Sequence, residues 1–170
     1  MDDKNPYRAP EAPIADQQHD PELAGLGERL AAAIIDTVIM LAVLLPVMWF
    51  GGYFRDVMNA ATAGQSLPIA TELLWGLISL IIFFAIQAYP LHTAAQTWGK
   101  RVLGIRIVDL NGTRSLFGKL ILLRYLPMQG IGLLPFIGPF LSVANVLFIF
   151  RNDRRCVHDL IAGTKVVKAR

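Results

Sequence analysis

The sequence predicts an all-α membrane protein. The expected architecture is a bundle of about four membrane-embedded helices, two full spans plus a helical hairpin, with a small cytosolic two-stranded β element. Three observations carry this. The 170 residues are 54% hydrophobic and only 17% charged, too apolar for an ordinary soluble domain. After Arg29 the chain runs 21 residues to Phe50 with Asp36 as their single charge. At about 1.5 Å per residue this is roughly 30 Å of helix, the thickness of a bilayer core. Finally, basic residues alternate with apolar segments in the second half of the chain, as expected beside an anionic membrane surface.

Residues 1–22 hold four prolines and few large apolar groups, which predicts a disordered cytosolic tail ahead of a membrane domain at 23–170. The tail has no apolar stretch or cleavage site of the kind a signal peptide needs. Leu23 to Glu28 is a short lead-in. The first membrane helix is Leu30–Phe50, with Pro46 in its last third, where a membrane helix tolerates it. Trp49 and Tyr53 mark its far interface. Residues 51–67 are expected to be a polar loop. Pro68 suits a first helical turn, and Leu73–Tyr89 adds 17 uncharged residues to give the second span.

The segment TWGKRVLG at 97–104 reads as a basic linker. IRIVD at 105–109 alternates like a strand and is closed by the turn signal Asn111-Gly112. Thr113 or Ser115 is placed to cap the next helix. From Phe117 to Phe150 the chain is apolar but broken by Pro127, Pro135 and Pro139. These 34 residues are too many for one crossing and suit a hairpin, with legs at about 117–134 and 140–150 and a turn near 135–139. The second leg is short and is compatible with a re-entrant segment. GIRIVD at 104–109 and GTKVVK at 163–168 share a pattern. Neither strand is stable alone, so the two are expected to pair, with Ile107 near Val166.

Charge sets the expected topology. Loop 51–72 carries one Lys or Arg, whereas segments 97–124 and 151–170 carry six each. Both basic segments belong on the cytosolic side by the positive-inside bias. That requires a hairpin between them and places both chain ends in the cytoplasm. Residues 1–28 hold seven acidic and two basic residues, and residues 100–170 hold three acidic and twelve basic ones. The net charge of +3 is therefore no sign of nucleic-acid binding.

Three motifs stand together: Arg29-x-x-Ala32-x-x-Ile35-Asp36, then Thr97-Trp98-Gly99-Lys100 through Gly104-Ile105-Arg106-Ile107-Val108, then His158-Asp159-Leu160-Ile161-Ala162-Gly163-Thr164-Lys165-Val166-Val167. Over about residues 23–168 they resemble the RDD family of bacterial membrane proteins, named for one arginine and two aspartates. Matched to this chain, those are Arg29, Asp36 and Asp159. The resemblance implies a multi-helix protein of the bacterial inner membrane, for which transport is the proposed role.

The residues themselves add to this. Arg29 and Asp36 share a helix face but stand about 10 Å apart along the axis, too far to pair. Arg124 lies seven residues beyond Phe117, and Asp36 seven beyond Arg29. Equal depth makes Asp36–Arg124 the expected pair and leaves Asp159 for Arg29. His158, Lys100, Asn145 and Gln129 are accessory candidates. His158 carries a side chain that titrates near neutral pH when unperturbed. Gln87, Gln129 and Asn145 are expected to form interhelical hydrogen bonds. Cys156, the single cysteine, sits among arginines, and its simplest reading is a free thiol. No catalytic triad spacing, phosphate-binding glycine loop or metal-ligand spacing is present, so no enzyme activity, cofactor or metal is expected. Two readings stay open: transport, or support of transport, of a small ion or solute by the intramembrane charges, and a non-transporting scaffold in which the same charges lock helices together. Expected partners are membrane lipid, a small ion or solute, and a second copy or another membrane protein.

Overall fold

A computed structural model describes residues 21–132 and 137–169. Residues 1–20 of the expected tail at 1–22 and the centre of the expected hairpin turn, including Pro135, lie outside these residues. The chain is mostly helical, with two long apolar helices and one small sheet.

Helix α1 runs Leu26–Phe50 and helix α3 runs Ile69–Ala94. At 25 and 26 residues both are long and apolar enough to cross a membrane. Leu30, Ile34 and Val38 on α1, and Leu73, Leu77 and Ile81 on α3, are all more than half exposed. Large apolar side chains facing outward along a whole helix fit a lipid environment. Glu28 starts α1 by accepting a hydrogen bond from the Gly25 backbone N–H at 2.7 Å.

The expected polar loop contains a helix, α2, at Tyr53–Thr62. Its apolar residues Tyr53, Phe54, Val57, Met58 and Ala61 fall at helical spacing, a signal that its polar composition obscured. Tyr53 meets Trp75 of α3 edge-on, with ring centroids 5.3 Å apart.

Helix α3 outruns its expected end at Tyr89 and continues through Pro90 to Ala94. A proline removes the hydrogen bond to the carbonyl four residues back. Here that carbonyl belongs to Ile86, and the indole N–H of Trp98 donates to it at 2.8 Å. The chain then turns at Ala95 into the short helix α4, Trp98–Val102, where a linker was expected.

Strand β1, Ile105–Asp109, pairs antiparallel with β2, Thr164–Lys168, and Ile107 stands opposite Val166 as expected. Leu23 bridges Val167 on the other edge of β2, and the Lys168 N–H donates to the Glu22 carbonyl. Glu22, assigned to the tail by sequence, thus joins the sheet. The Asn111-Gly112 turn follows β1, with Gly112 at φ 82°. Neither expected cap serves the next helix. Its N-cap is Leu116, and the Ser115 hydroxyl donates to Asp109 at 2.7 Å instead.

The first hairpin leg contains α5 (Phe117–Lys119), a π-helical stretch (Leu120–Tyr125) and α6 (Leu126–Gly132). The return leg is α7 (Ile137–Leu147) followed by a 3-10 turn to Phe150, beginning three residues before the expected Phe140. Pro139 falls in the first turn of α7, where its missing N–H costs nothing. Among the described residues only α1 and α3 have the length and composition of full spans. A five-residue helix, α8 (Val157–Ile161), leads into β2.

The packed core is not between the long helices. It is formed by Ala24, Ala32, Leu91, Ala95, Ile105, Ile107, Leu120 and Val166, where the helix ends meet the sheet. The buried charged residues Arg29, Arg124 and Asp159 gather at this same end.

Candidate functional site

Two carboxylates organise the site. Asp159, at the third position of α8, is fully buried. Its Oδ2 accepts from Arg29 Nη2 at 2.5 Å and from the Cys156 N–H at 3.1 Å. Its Oδ1 accepts from Arg124 Nη1 and, at 3.3 Å, from the Thr164 hydroxyl, which itself accepts from Arg124 at 2.6 Å. Arg29 also donates to the Arg154 carbonyl, and Arg155 donates to the Asp159 carbonyl at 3.2 Å. One carboxylate therefore joins α1, the hairpin, α8 and β2.

Asp36, two turns further along α1, is handled differently. Gln87 Nε2 donates to its Oδ1 at 3.0 Å, the Gly99 N–H donates to the same oxygen at 2.8 Å, and the Thr97 hydroxyl donates to Oδ2 at 2.5 Å. Among the described residues no Lys or Arg forms an ion pair with it. Gln87 turns its Oδ-equivalent oxygen, Oε1, to the Trp98 N–H at 3.1 Å. Gly99 is required by the closeness of α4 to α1: a Cβ there would lie 2.1 Å from the Ala32 carbonyl oxygen.

The expected Arg29–Asp159 pair is present, whereas the expected Asp36–Arg124 pair is not. Equal depth holds only for regular α-helix. The π-helical stretch at Leu120–Tyr125 changes the direction in which Arg124 leaves its helix, and the guanidinium reaches Asp159, which α8 carries up against it. Asp36 faces α3 and α4 instead.

His158 sits beside Asp159 and presents both its backbone N–H and its Nδ1 to Asn145 Oδ1, at 3.1 and 2.9 Å. An acceptor at Nδ1 requires the proton there. Burial first, and then the Arg124 charge, lower its pKa to about 3, so it is neutral at physiological pH rather than poised to titrate. Burial alone would raise the Asp159 pKa, but Arg124, His158 and Arg29 outweigh it and hold the carboxyl well below the usual range. Burial pushes the Cys156 thiol up despite Arg29 beside it, so it is an ordinary protonated thiol.

Lys100 makes a long contact, 3.4 Å, with the Thr97 hydroxyl. Gln129 is half-buried and joins none of these contacts. Sequence reasoning gave Gln87 and Asn145 their interhelical roles, named Thr97, Gly99 and Thr164 only as motif residues without a contact role, and gave Arg155 none. Thr97 and Gly99 immediately precede the basic Lys100-Arg101 pair and carry no charge of their own.

Cys156, His158 and Asp159 bring three donor atoms within 4.8 Å of one another, a grouping that no sequence spacing announced. The donor set does not fit a metal ion. Both Asp159 oxygens already accept from guanidinium groups, the thiol is protonated, and two arginines repel a cation at this point.

Residues 23–163 match the model of the RDD family. The chain is 30% identical over 152 residues to the uncharacterized protein YckC of Bacillus subtilis, covering 86% of this chain and 85% of that protein. It is 32% identical over 94 residues to an uncharacterized protein of Haemophilus influenzae, covering 55% of this chain and 58% of that protein. No solved structure matches it.

Proposed function

The chain belongs to the RDD family, and we propose that it transports, or supports the transport of, a small ion or solute across the bacterial inner membrane. Family membership and the two long apolar helices indicate a membrane protein. In the proposed topology α1 and α3 are full spans, and the hairpin of residues 117–150 is embedded as two shorter, re-entrant legs. Both chain ends and the sheet lie in the cytoplasm, on the side favoured by the basic segments 97–124 and 151–170. The membrane domain begins near residue 23, and the protein is not an enzyme.

The observation that carries transport is Asp36. It is a carboxylate inside a span, held by an amide, a hydroxyl and a backbone N–H and paired with no cation among the described residues. Intramembrane acids of this kind are costly and mark ion and proton paths. The Thr97 hydroxyl can donate to the carboxylate or, by rotating, accept from the carboxylic acid. Every donor that holds the Asp36 carboxylate is uncharged. Proteoliposome flux under H⁺, Na⁺ and K⁺ gradients tests this. Wild type should carry flux that is lost in a folded Asp36→Asn variant. Absence of flux in wild type under all three gradients would favour a scaffold. The scaffold reading is supported by Asp159, whose oxygens are filled by protein donors as a purely structural lock requires.

A further inference from the structure

A cavity of about 240 Å³ lies between the start of α1 and the end of the hairpin, at the sheet end of the helices. Three cations line it, Arg29, Lys100 and Arg124. Its remaining wall is largely apolar and includes Leu30, Ile149 and Phe150. Leu30 and Phe150 are strongly exposed, at 55% and 71%, so the apolar side opens outward where lipid chains would lie.

The charges around it do not balance. Arg29 and Arg124 share one carboxylate, Asp159, and Lys100 forms no ion pair among the described residues. Arg124 is 1% exposed, and its Nε–H has no acceptor among the described residues. A buried guanidinium N–H without an acceptor is unfavourable.

We propose that this cavity binds an anionic amphiphile, with a phosphate-type head on Lys100, Arg29 and Arg124 and an apolar body along Leu30, Ile149 and Phe150. The membrane supplies such a molecule as an acidic phospholipid. Basic pockets between membrane helices are suited to such headgroups, and Arg pairs well with phosphate oxygens. A polar anion alone would leave the apolar wall unused, and a neutral lipid would leave the positive excess unmet. Asp36 does not line the cavity, and the proposal goes beyond the transport reading without depending on it.

The test uses the full chain in nonionic detergent, titrated with phosphatidylglycerol, with phosphatidylcholine of the same acyl chains, and with inorganic phosphate. Binding is read by the shift in melting temperature and by native mass spectrometry. Phosphatidylglycerol should saturate at one per chain and bind about tenfold more tightly than phosphatidylcholine. Inorganic phosphate should bind more weakly than phosphatidylglycerol. Lys100→Gln should weaken phosphatidylglycerol binding roughly fivefold, the effect of one basic side chain near a headgroup, and Lys100→Arg should restore it. Phe150→Ala, at an exposed position, should weaken the lipid but not phosphate. Asp36→Asn should bind as wild type does, whatever its flux. Equal affinity for the two lipids, phosphate binding as tight as the acidic lipid, or unchanged binding in folded Lys100→Gln and Phe150→Ala proteins would each overturn the proposal.

Discussion

Asp159 and Asp36 are both enclosed by protein donors, but the donors differ in kind. Asp159 takes two guanidiniums, a backbone N–H and a hydroxyl, and nothing of it reaches solvent. Asp36 takes an amide, a hydroxyl and a backbone N–H, all neutral. The first arrangement fixes a charge: protonating Asp159 would strand two arginines. The second holds a geometry without a counter-charge. The same residue type thus serves as a lock at the sheet and as a candidate exchange site within the span.

The largest expected effect comes from breaking the lock. Arg124→Gln removes one guanidinium from a fully buried network and should destabilise the protein by about 3–5 kcal/mol. Chemical unfolding in detergent measures this. Adding Asp159→Asn leaves the buried Arg29 without its carboxylate and should deepen the loss, whereas adding Asp36→Asn should recover none. Recovery with Asp36→Asn instead would restore the Asp36–Arg124 pairing that equal depth had suggested.

A smaller effect is expected where α4 meets α1. Gly99→Ala places a methyl 2.1 Å from the Ala32 carbonyl oxygen and 3.0 Å from the Asp36 carboxyl carbon. The helices must separate, at about 1–3 kcal/mol, and Asp36 loses a donor. Flux should fall more than stability does. A variant with unchanged flux would detach the Asp36 cage from transport.

The pH dependence sharpens the contrast further. His158 has its pKa lowered by burial, from the model-peptide region of about 6.5 to about 3 in the folded chain. The unfolded chain therefore binds the extra proton first as pH falls. The stability that neutral His158 contributes is full above about pH 6.5 and declines toward pH 3, with a slope of at most about 1.4 kcal/mol per pH unit. Asp159, whose pKa is also lowered, contributes above its unfolded value near 3.9 and loses that contribution only at still lower pH. Unfolding at pH 7 and pH 5 should differ in wild type, and His158→Asn should flatten the difference. An unchanged slope in that variant would mean that another group carries it.

Much of this was legible in the sequence, for identifiable reasons. The apolar run after Arg29 and the alternation at 105–109 and 164–167 carry their own periodicity, so the spans and the strand pair could be read directly. Arg29–Asp159 followed by elimination from the Asp36–Arg124 pairing, and it stands although that pairing does not. Arg124 was misassigned because a π-helical stretch has no sequence signature that depth counting registers. The partners of Asp36 were hidden for a different reason. Gln87, Thr97 and the Gly99 backbone carry no net charge, and Thr97 and Gly99 approach only because α3 continues past Pro90 with the help of the Trp98 indole. Charge patterns are visible in a sequence, whereas neutral donors become visible only when the chain is folded around them.

The most direct measurement of the contrast is made on Asp36→Asn alone: unfolding stability and proton-driven flux in the same preparation. The amide is nearly isosteric and keeps one acceptor oxygen. Stability should fall by no more than about 1–3 kcal/mol, well short of the Arg124→Gln loss, and flux should disappear. Undiminished flux in a folded Asp36→Asn protein, or a loss of stability as large as that of Arg124→Gln, would contradict the separation of an exchange site at Asp36 from a lock at Asp159.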